Sequence, residues 1–188
     1  MAIKTFTTGE VLTAADTNTY LANSGLVYVT SASFSGSSTV NINNVFTSTY
    51  DSYQIFVRAY GSTSTYATWR LRVGGVDSST SSYFRYGYQT TYNTSLGAYN
   101  GGPETSWLPI LNYTTAIGES CATNILINYP AVSTYRTTMS TTVNDSGGMA
   151  VYNISGGHAV LTAYDGFSII PASGTITGAY TIYGYRKA

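Results

Sequence analysis

Tyr50-Asp51-Ser52-Tyr53-Gln54-Ile55-Phe56-Val57-Arg58-Ala59-Tyr60 is the stretch that decides the fold. From Tyr53 it alternates. Tyr53, Ile55, Val57 and Ala59 fall on one side, and Gln54, Phe56, Arg58 and Tyr60 on the other. A period of two is the signature of a strand with one covered face, because successive side chains point to opposite sides of the pleat. Six residues on, Tyr66 to Val73 repeats the pattern. Ala67, Trp69, Leu71 and Val73 are expected to point inward, and Thr68, Arg70 and Arg72 outward. Gly74-Gly75-Val76-Asp77 then breaks the run.

Working outward, the same grammar covers most of the chain. Leu26 to Val29 opens a series of strands, with a turn at Ser35 to Ser38 and a strand around Val40 and Ile42. Tyr83 to Tyr92 reads as an aromatic strand pair or hairpin. Asn100-Gly101-Gly102-Pro103 is a loop signal. Pro109 within Trp107 to Tyr113 predicts an edge strand or a bulge, because proline cannot donate to a sheet ladder. Ile125-Leu126-Ile127 suggests a strand covered on both faces, and Asn144 to Gly148 a hairpin-type loop. Met149 to Ile154, Ala159 to Tyr164, Phe167 to Ile170 and Thr175 to Tyr185 complete the series, with Ile176, Tyr180, Ile182 and Tyr185 as candidates for burial. About nine to eleven strands with no intervening helices predict an all-β, antiparallel sandwich of jelly-roll type.

The composition agrees. Of 188 residues, 53 are Ser or Thr, 12 are Asn and 19 are Tyr, while only 9% are charged. An ordinary soluble protein has roughly 25% charged residues. Tyr and Thr suit pleated, half-buried surfaces, and Ser, Asn and Gly suit turns. Lys plus Arg and Asp plus Glu both total 8, so the net charge is zero. A neutral chain this poor in cations has no phosphate-tracking surface, so no nucleic-acid partner is expected. No window approaches a membrane-spanning length, and Met1 to Thr8 lacks the apolar core of a signal peptide.

The first 25 residues stand apart, giving an expected division into a docking arm with a short helix (1–25) and a sandwich domain (26–188). Thr13 followed by Asp16 resembles a capping box, and Ala14, Ala15, Tyr20, Leu21 and Ala22 support two to three helical turns ending at Gly25. A helix this short is marginal alone and needs something to pack on. Ile3 to Thr8 could form a short strand or arm.

Titratable chemistry is sparse. The chain has one His and one Cys. His158 precedes Asp165 by seven residues, but no G-x-S-x-G elbow accompanies them, and Cys121 reads as a buried thiol. No calcium loop, H-E-x-x-H or P-loop occurs, so neither metal nor cofactor is expected. Asp51, Asp77, Asp145 and Asp165 sit beside turn residues, where Asp is common for backbone reasons. No catalytic residue is assigned. Arg58, Arg70, Arg72 and Arg85 lie within 28 residues, and the first three could share an outer face. They would form either a patch for an acidic partner or ordinary solvated strand faces.

Tyr83, Phe84, Tyr86, Tyr88, Tyr92, Tyr99 and Trp107 form the densest aromatic stretch. Aromatic rings stack on sugars and give rigid contact area at low entropic cost. Tyr83, Tyr86, Tyr88, Tyr92, Tyr99 and Trp107 are therefore the expected recognition surface, with core packing as the competing role.

Three segments resemble known proteins. Thr5 to Leu21 (TFTTGEVLTAADTNTYL) resembles the N-terminal motif of many small tailed-bacteriophage virion proteins. Phe46-Thr47-Ser48-Thr49-Tyr50-Asp51-Ser52-Tyr53 resembles the strand opening that follows it there, and Gly174 to Arg186 resembles their closing strand. The resemblance implies a non-enzymatic virion protein of the tail-fibre, receptor-binding or capsid-decoration type. It also implies a β-sandwich, a homotrimer, and attachment to other virion proteins through the N-terminal segment. Phe6, Val11, Leu12, Tyr20 and Leu21 are the expected docking residues, and a host-surface glycan is a candidate partner for the exposed loops. A carbohydrate-binding module and a small polysaccharide hydrolase are the competing classes.

Overall fold

The computed structural model describes residues 7–16, 25–92, 96–116, 120–145 and 150–187. Thr13 and Asp16 cap each other: Asp16 N–H donates to Thr13 Oγ1 at 3.1 Å, and Thr13 N–H donates to Asp16 Oδ2 at 3.2 Å. The described helix α1 is Ala14–Asp16. Tyr20, Leu21 and Ala22, and all but the end of the Ile3 to Thr8 arm, lie outside the described residues.

Every described residue after Gly25 lies in a strand or a connection. The larger sheet contains β1 (Leu26–Ser37), β3 (Tyr50–Gly61), β6 (Tyr83–Thr91), β7 (Gly97–Ala98), β8 (Gly101–Glu104), β10 (Cys121–Asn128), β11 (Thr138–Asp145), β12 (Ala150–His158) and β14 (Ile176–Arg186). The smaller contains β2 (Val40–Ile42), β4 (Thr65–Val73), β5 (Val76–Asp77), β9 (Trp107–Tyr113) and β13 (Gly166–Pro171). All pairings are antiparallel.

Two four-stranded cores are embedded in these sheets. One runs β1-β14-β3-β10 and the other β2-β13-β4-β9. Taken in chain order these eight strands alternate between sheets, except that β4 and β9 are neighbours in the smaller sheet, which is the order of a jelly roll. The remaining strands come from two insertions. One between β4 and β9 supplies β5 to β8, and one between β10 and β13 supplies β11 and β12. Joined as β11-β12-β6 with β7 and β8 beyond, they extend the larger sheet past the roll.

The core lies between the sheets. Tyr53, Ile55, Val57 and Ala59 of β3 are all buried, as the alternation predicts. Trp69 stacks on Phe167 at 4.0 Å with the rings 2° from parallel. Phe167 also contacts Phe46, which meets Tyr53 edge-on at 4.9 Å. Trp107 stands edge-on to Tyr83 at 5.0 Å. As expected from Pro109, β9 is an edge strand, pairing with β4 alone and with an irregular register between Ala67 and Trp69.

Several expectations need correcting. Leu126 is only half-buried, because the larger sheet is covered on one face. Val73 is 44% exposed, since it sits at the tip of the β4–β5 hairpin where β13 no longer runs alongside, and Tyr185 is 40% exposed on the outer face. Tyr83 to Thr91 is one strand rather than a hairpin, because its partner is β12.

The antiparallel order also fixes the ends. Leu26, where the N-terminal segment joins β1, shares an end with the links β2–β3, β10–β11 and β12–β13. Backbone bonds tie this end together: Phe46 N–H to Asp165 O at 3.0 Å, Tyr129 N–H to Asp51 O at 2.6 Å, and Tyr164 N–H to Pro130 O at 2.7 Å. The links β1–β2, β3–β4 and β13–β14 lie at the opposite end.

Candidate recognition surface

The outer face of the larger sheet is the open face of the molecule. Cross-strand register lines up its side chains in rows. One row reads Tyr28, Tyr183, Gln54, Leu126, Ser140, Ser155, Tyr86. The next reads Ser31, Thr181, Phe56, Asn124, Thr142, Asn153, Tyr88. Neither row carries a formal charge. Short hydroxyls and amides fill the middle, and aromatic rings stand at the flanks. Tyr28 contacts Tyr183 edge-on at 6.0 Å, and Tyr183 contacts Phe56 at 6.3 Å.

The aromatic stretch splits by parity. Even positions of β6 face out: Tyr86 is 62% exposed, Tyr88 44%, and Phe84 joins them at the rim. Odd positions face in. Tyr83 is fully buried, its hydroxyl donating to Ser78 O at 2.7 Å and accepting from Leu71 N–H at 3.1 Å, and burial pushes its pKa up. Trp107 is 1% exposed, on the inner side of β9. Tyr83 and Trp107 are thus core residues and do not belong to a recognition surface. Tyr99 is half-buried, contacting Tyr152 edge-on at 5.7 Å, with the Arg85 guanidinium 5.0 Å from its ring centroid. It too leaves the outer face. Tyr92 is exposed beyond the end of β6. The structure therefore brings Tyr86 and Tyr88 together, leaves Tyr92 at the sheet's far end, and adds Phe84.

The arginines divide as well. Arg72 is buried in the smaller sheet, paired with Asp77 and donating to Asn41 Oδ1 at 2.8 Å and Asn43 Oδ1 at 2.9 Å. Arg85 pairs with Glu104 on the inner side of β6. Arg70 donates to Thr105 O at 3.0 Å. Of these four, Arg58 alone stands on the outer face of the larger sheet, so the expected shared face does not form: β3 and β4 lie in different sheets.

Two hollows open around Arg58. One, of about 490 Å³, is bordered by Phe56, Asn124, Asn144 and Thr181; the other, of about 480 Å³, by Ser33, Tyr60 and Thr177. They share Arg58 and Ala179. Their floor follows from the register, which sets Arg58 between Ala179 on β14 and Ala122 on β10. A third hollow, of about 310 Å³, lies between Phe84, Tyr86, Arg136 and Thr138, over Gly157. Sequence reading missed all three. Parity gives Phe56 and Phe84, but the hollows need the register of alanine and glycine on neighbouring strands.

The nucleophilic candidates sit elsewhere. His158 is fully buried, with Nδ1 2.9 Å from the Tyr164 hydroxyl and Nε2 3.4 Å from Ser78 Oγ. Burial holds its pKa below the ordinary value. A phenol in the orienting position supplies no carboxylate charge to stabilise an imidazolium. Asp165 accepts from Gly74 N–H at 2.7 Å instead. Cys121 is fully buried at the other end of the sheet, and burial pushes its thiol up to about 11. Every described carboxylate has at least one partner: Lys187 for Asp51, Arg72 for Asp77, Arg85 for Glu104, Asn112 for Asp145, and backbone N–H groups for Glu10, Asp16 and Asp165, with Asp165 Oδ1 left buried and unpaired.

Among the docking residues, Val11 and Leu12 are exposed, at 78% and 50%. Phe6, Tyr20 and Leu21 lie outside the described residues. No family model matches the chain, and no curated protein matches it.

Proposed function

We propose that the chain is a non-enzymatic structural protein of a bacteriophage virion. In this reading it is a homotrimeric tail fibre or adhesin knob, attached to other virion proteins through its N-terminal segment and recognising the host surface. The observation that carries the reading is the polarity of the sandwich. The N-terminal segment enters at one end, and a broad, charge-poor outer face with Tyr86, Tyr88 and Phe56 is left open along the side. Val11 and Leu12 are apolar and exposed, as suits a segment that packs on a neighbour. Zero net charge removes repulsion between identical copies. His158 and Cys121, the two groups best suited to nucleophilic chemistry, are committed to the interior.

Immunogold labelling of purified virions with an antibody against the chain tests this. Label at the tail is the expected outcome. Label spread over the capsid would make the chain a decoration protein or head fibre instead. Particles without label would overturn the virion reading. Native mass spectrometry of the purified chain tests the trimer: a species that stays monomeric at high concentration overturns it.

A further inference from the structure

We propose that the paired hollows around Arg58 form a binding site for a carboxylate-bearing sugar of a surface polysaccharide. This deepens the recognition reading and rests on it. The argument begins with charge. Among the described residues Arg58 has no ion-pair or hydrogen-bond partner, while Arg72, Arg85 and Lys187 are each paired with a carboxylate. Among the described residues no acidic side chain borders either hollow. The site therefore holds one unspent positive charge, with its five donors in a planar fork that matches a carboxylate.

Shape comes next. Alanines on both neighbouring strands, Ala179 and Ala122, leave space on either side of the Arg58 side chain. Along its own strand Arg58 stands between two outward aromatic residues, Phe56 and Tyr60. Phe56 is 43% exposed, with a ring face available for stacking against the apolar side of a sugar. Around the rim stand Asn124, Asn144 and Thr181, which can donate to and accept from hydroxyls. A cation flanked by aromatic rings and ringed by neutral amides and hydroxyls fits a ligand that is at once anionic and rich in hydroxyls. An acidic peptide would use the charge but leave the amide rim unsatisfied. A neutral sugar would use the rim but leave the guanidinium without its counter-charge. Two contiguous hollows sharing one arginine suit a chain of sugar units crossing the sheet, with the acidic unit over Arg58.

The test uses the full purified chain and short oligosaccharides of galacturonate, glucuronate and N-acetylneuraminate, each also as its carboxyl methyl ester. Binding is followed by NMR of the Asn side-chain amides. At least one acid should shift the amides of Asn124 and Asn144. Its ester should bind at least about tenfold more weakly, as should Arg58→Gln with the free acid, because a charge-assisted hydrogen bond is lost. Arg58→Lys should retain part of the affinity, and added salt should weaken binding. Arg58 is exposed, so the Gln variant should keep the wild-type amide spectrum away from the site. The proposal falls if no acid in the panel shifts these amides at millimolar concentration, if ester and acid bind alike, or if Arg58→Gln binds as wild type. It also falls if the face is buried between copies of the chain in solution. These outcomes are separable from the virion test. Labelled virions without acid selectivity would sink the Arg58 site alone. Acid-selective binding by a chain absent from virions would sink the virion reading and leave the site.

Discussion

The inner and outer faces of β3 are made by one strand, yet they obey different rules. Tyr53, Ile55, Val57 and Ala59 are buried and packed against the smaller sheet, while Gln54, Phe56, Arg58 and Tyr60 stand on a face that no other described element covers. Aromatic residues occur on both. Tyr53 sits in the core, its hydroxyl donating to Thr47 O at 3.0 Å, whereas Phe56 is 43% exposed and stands perpendicular to Tyr183 at 6.3 Å. In a Tyr-rich chain, residue type alone does not separate core from surface; position in the two-residue period does. The same division runs across the sheet to β6, where Tyr83 is inside and Tyr86 outside.

The sharpest way to break this comparison is to remove a large inner side chain. Trp69→Ala deletes the ring stacked on Phe167 and should cost about 3–5 kcal/mol, enough to bring a domain of this size near unfolding. Phe56→Ala on the outer face should cost no more than about 1 kcal/mol. Urea denaturation of both variants decides it. Comparable losses would mean that the outer face is covered in solution.

A second inner-face effect depends on pH. The Cys121 thiol has an ordinary value of 9.0 and is pushed up to about 11 by burial. A folded value above the unfolded one means that the stabilisation is complete below pH 9 and is lost as the pH rises towards 11. The chain should lose about 2–3 kcal/mol across that window that Cys121→Ala does not lose. The buried tyrosines titrate in both proteins, so the difference between the two curves isolates the thiol. Parallel curves from pH 8 to 11 would show that the thiolate reaches water in the folded state.

Much of this was legible beforehand. The alternation at Tyr53 to Tyr60, the proline at the edge of β9 and the Thr13–Asp16 cap all follow from local rules acting within a few residues. The candidate recognition surface was only half legible. Tyr86 and Tyr88 follow once the parity of β6 is applied, and the same parity removes Tyr83. Trp107 and Tyr99 needed the fold, since their burial depends on what β9 and the inner side of β6 pack against. The Arg58 hollow was illegible for a stronger reason. Its floor is made by Ala122 and Ala179, residues 64 and 121 positions away in the chain. Long-range register, which no local pattern encodes, sets them beside Arg58. The arginine patch failed in the same way, because clustering in sequence says nothing about which sheet each strand joins.

Gly156 and Gly157 give the comparison at its finest scale, being neighbours on opposite faces of β12. A Cβ added at Gly156 would lie 2.3 Å from Phe84 O and 3.1 Å from Trp107 Nε1. At Gly157 the nearest atom would be Thr137 O at 3.5 Å, an ordinary contact. Gly156→Ala should therefore cost about 1–3 kcal/mol, because the β6 backbone must move to admit a methyl group. Gly157→Ala should be neutral or slightly stabilising, since the variant gives up less backbone freedom on folding. Thermal unfolding of the two variants measures the difference, and equal midpoints would show that β12 does not lie as close to β6 as the register requires.

The smallest effect on stability should be the largest on function. Tyr86→Thr and Tyr88→Thr keep a good strand former on the outer face and remove two rings that are 62% and 44% exposed. Each should change stability by about 0.5 kcal/mol or less. If these rings contact the host, the double variant should adsorb to host cells several-fold more weakly than wild type at unchanged melting temperature. The separation of the two readouts is what matters. An inner-face substitution lowers adsorption only by unfolding the chain, so adsorption and melting temperature fall together. An outer-face substitution moves adsorption alone. Adsorption that survives the loss of both rings would take recognition away from β6 and leave the Arg58 hollow, further across the same outer face, as the surface to pursue.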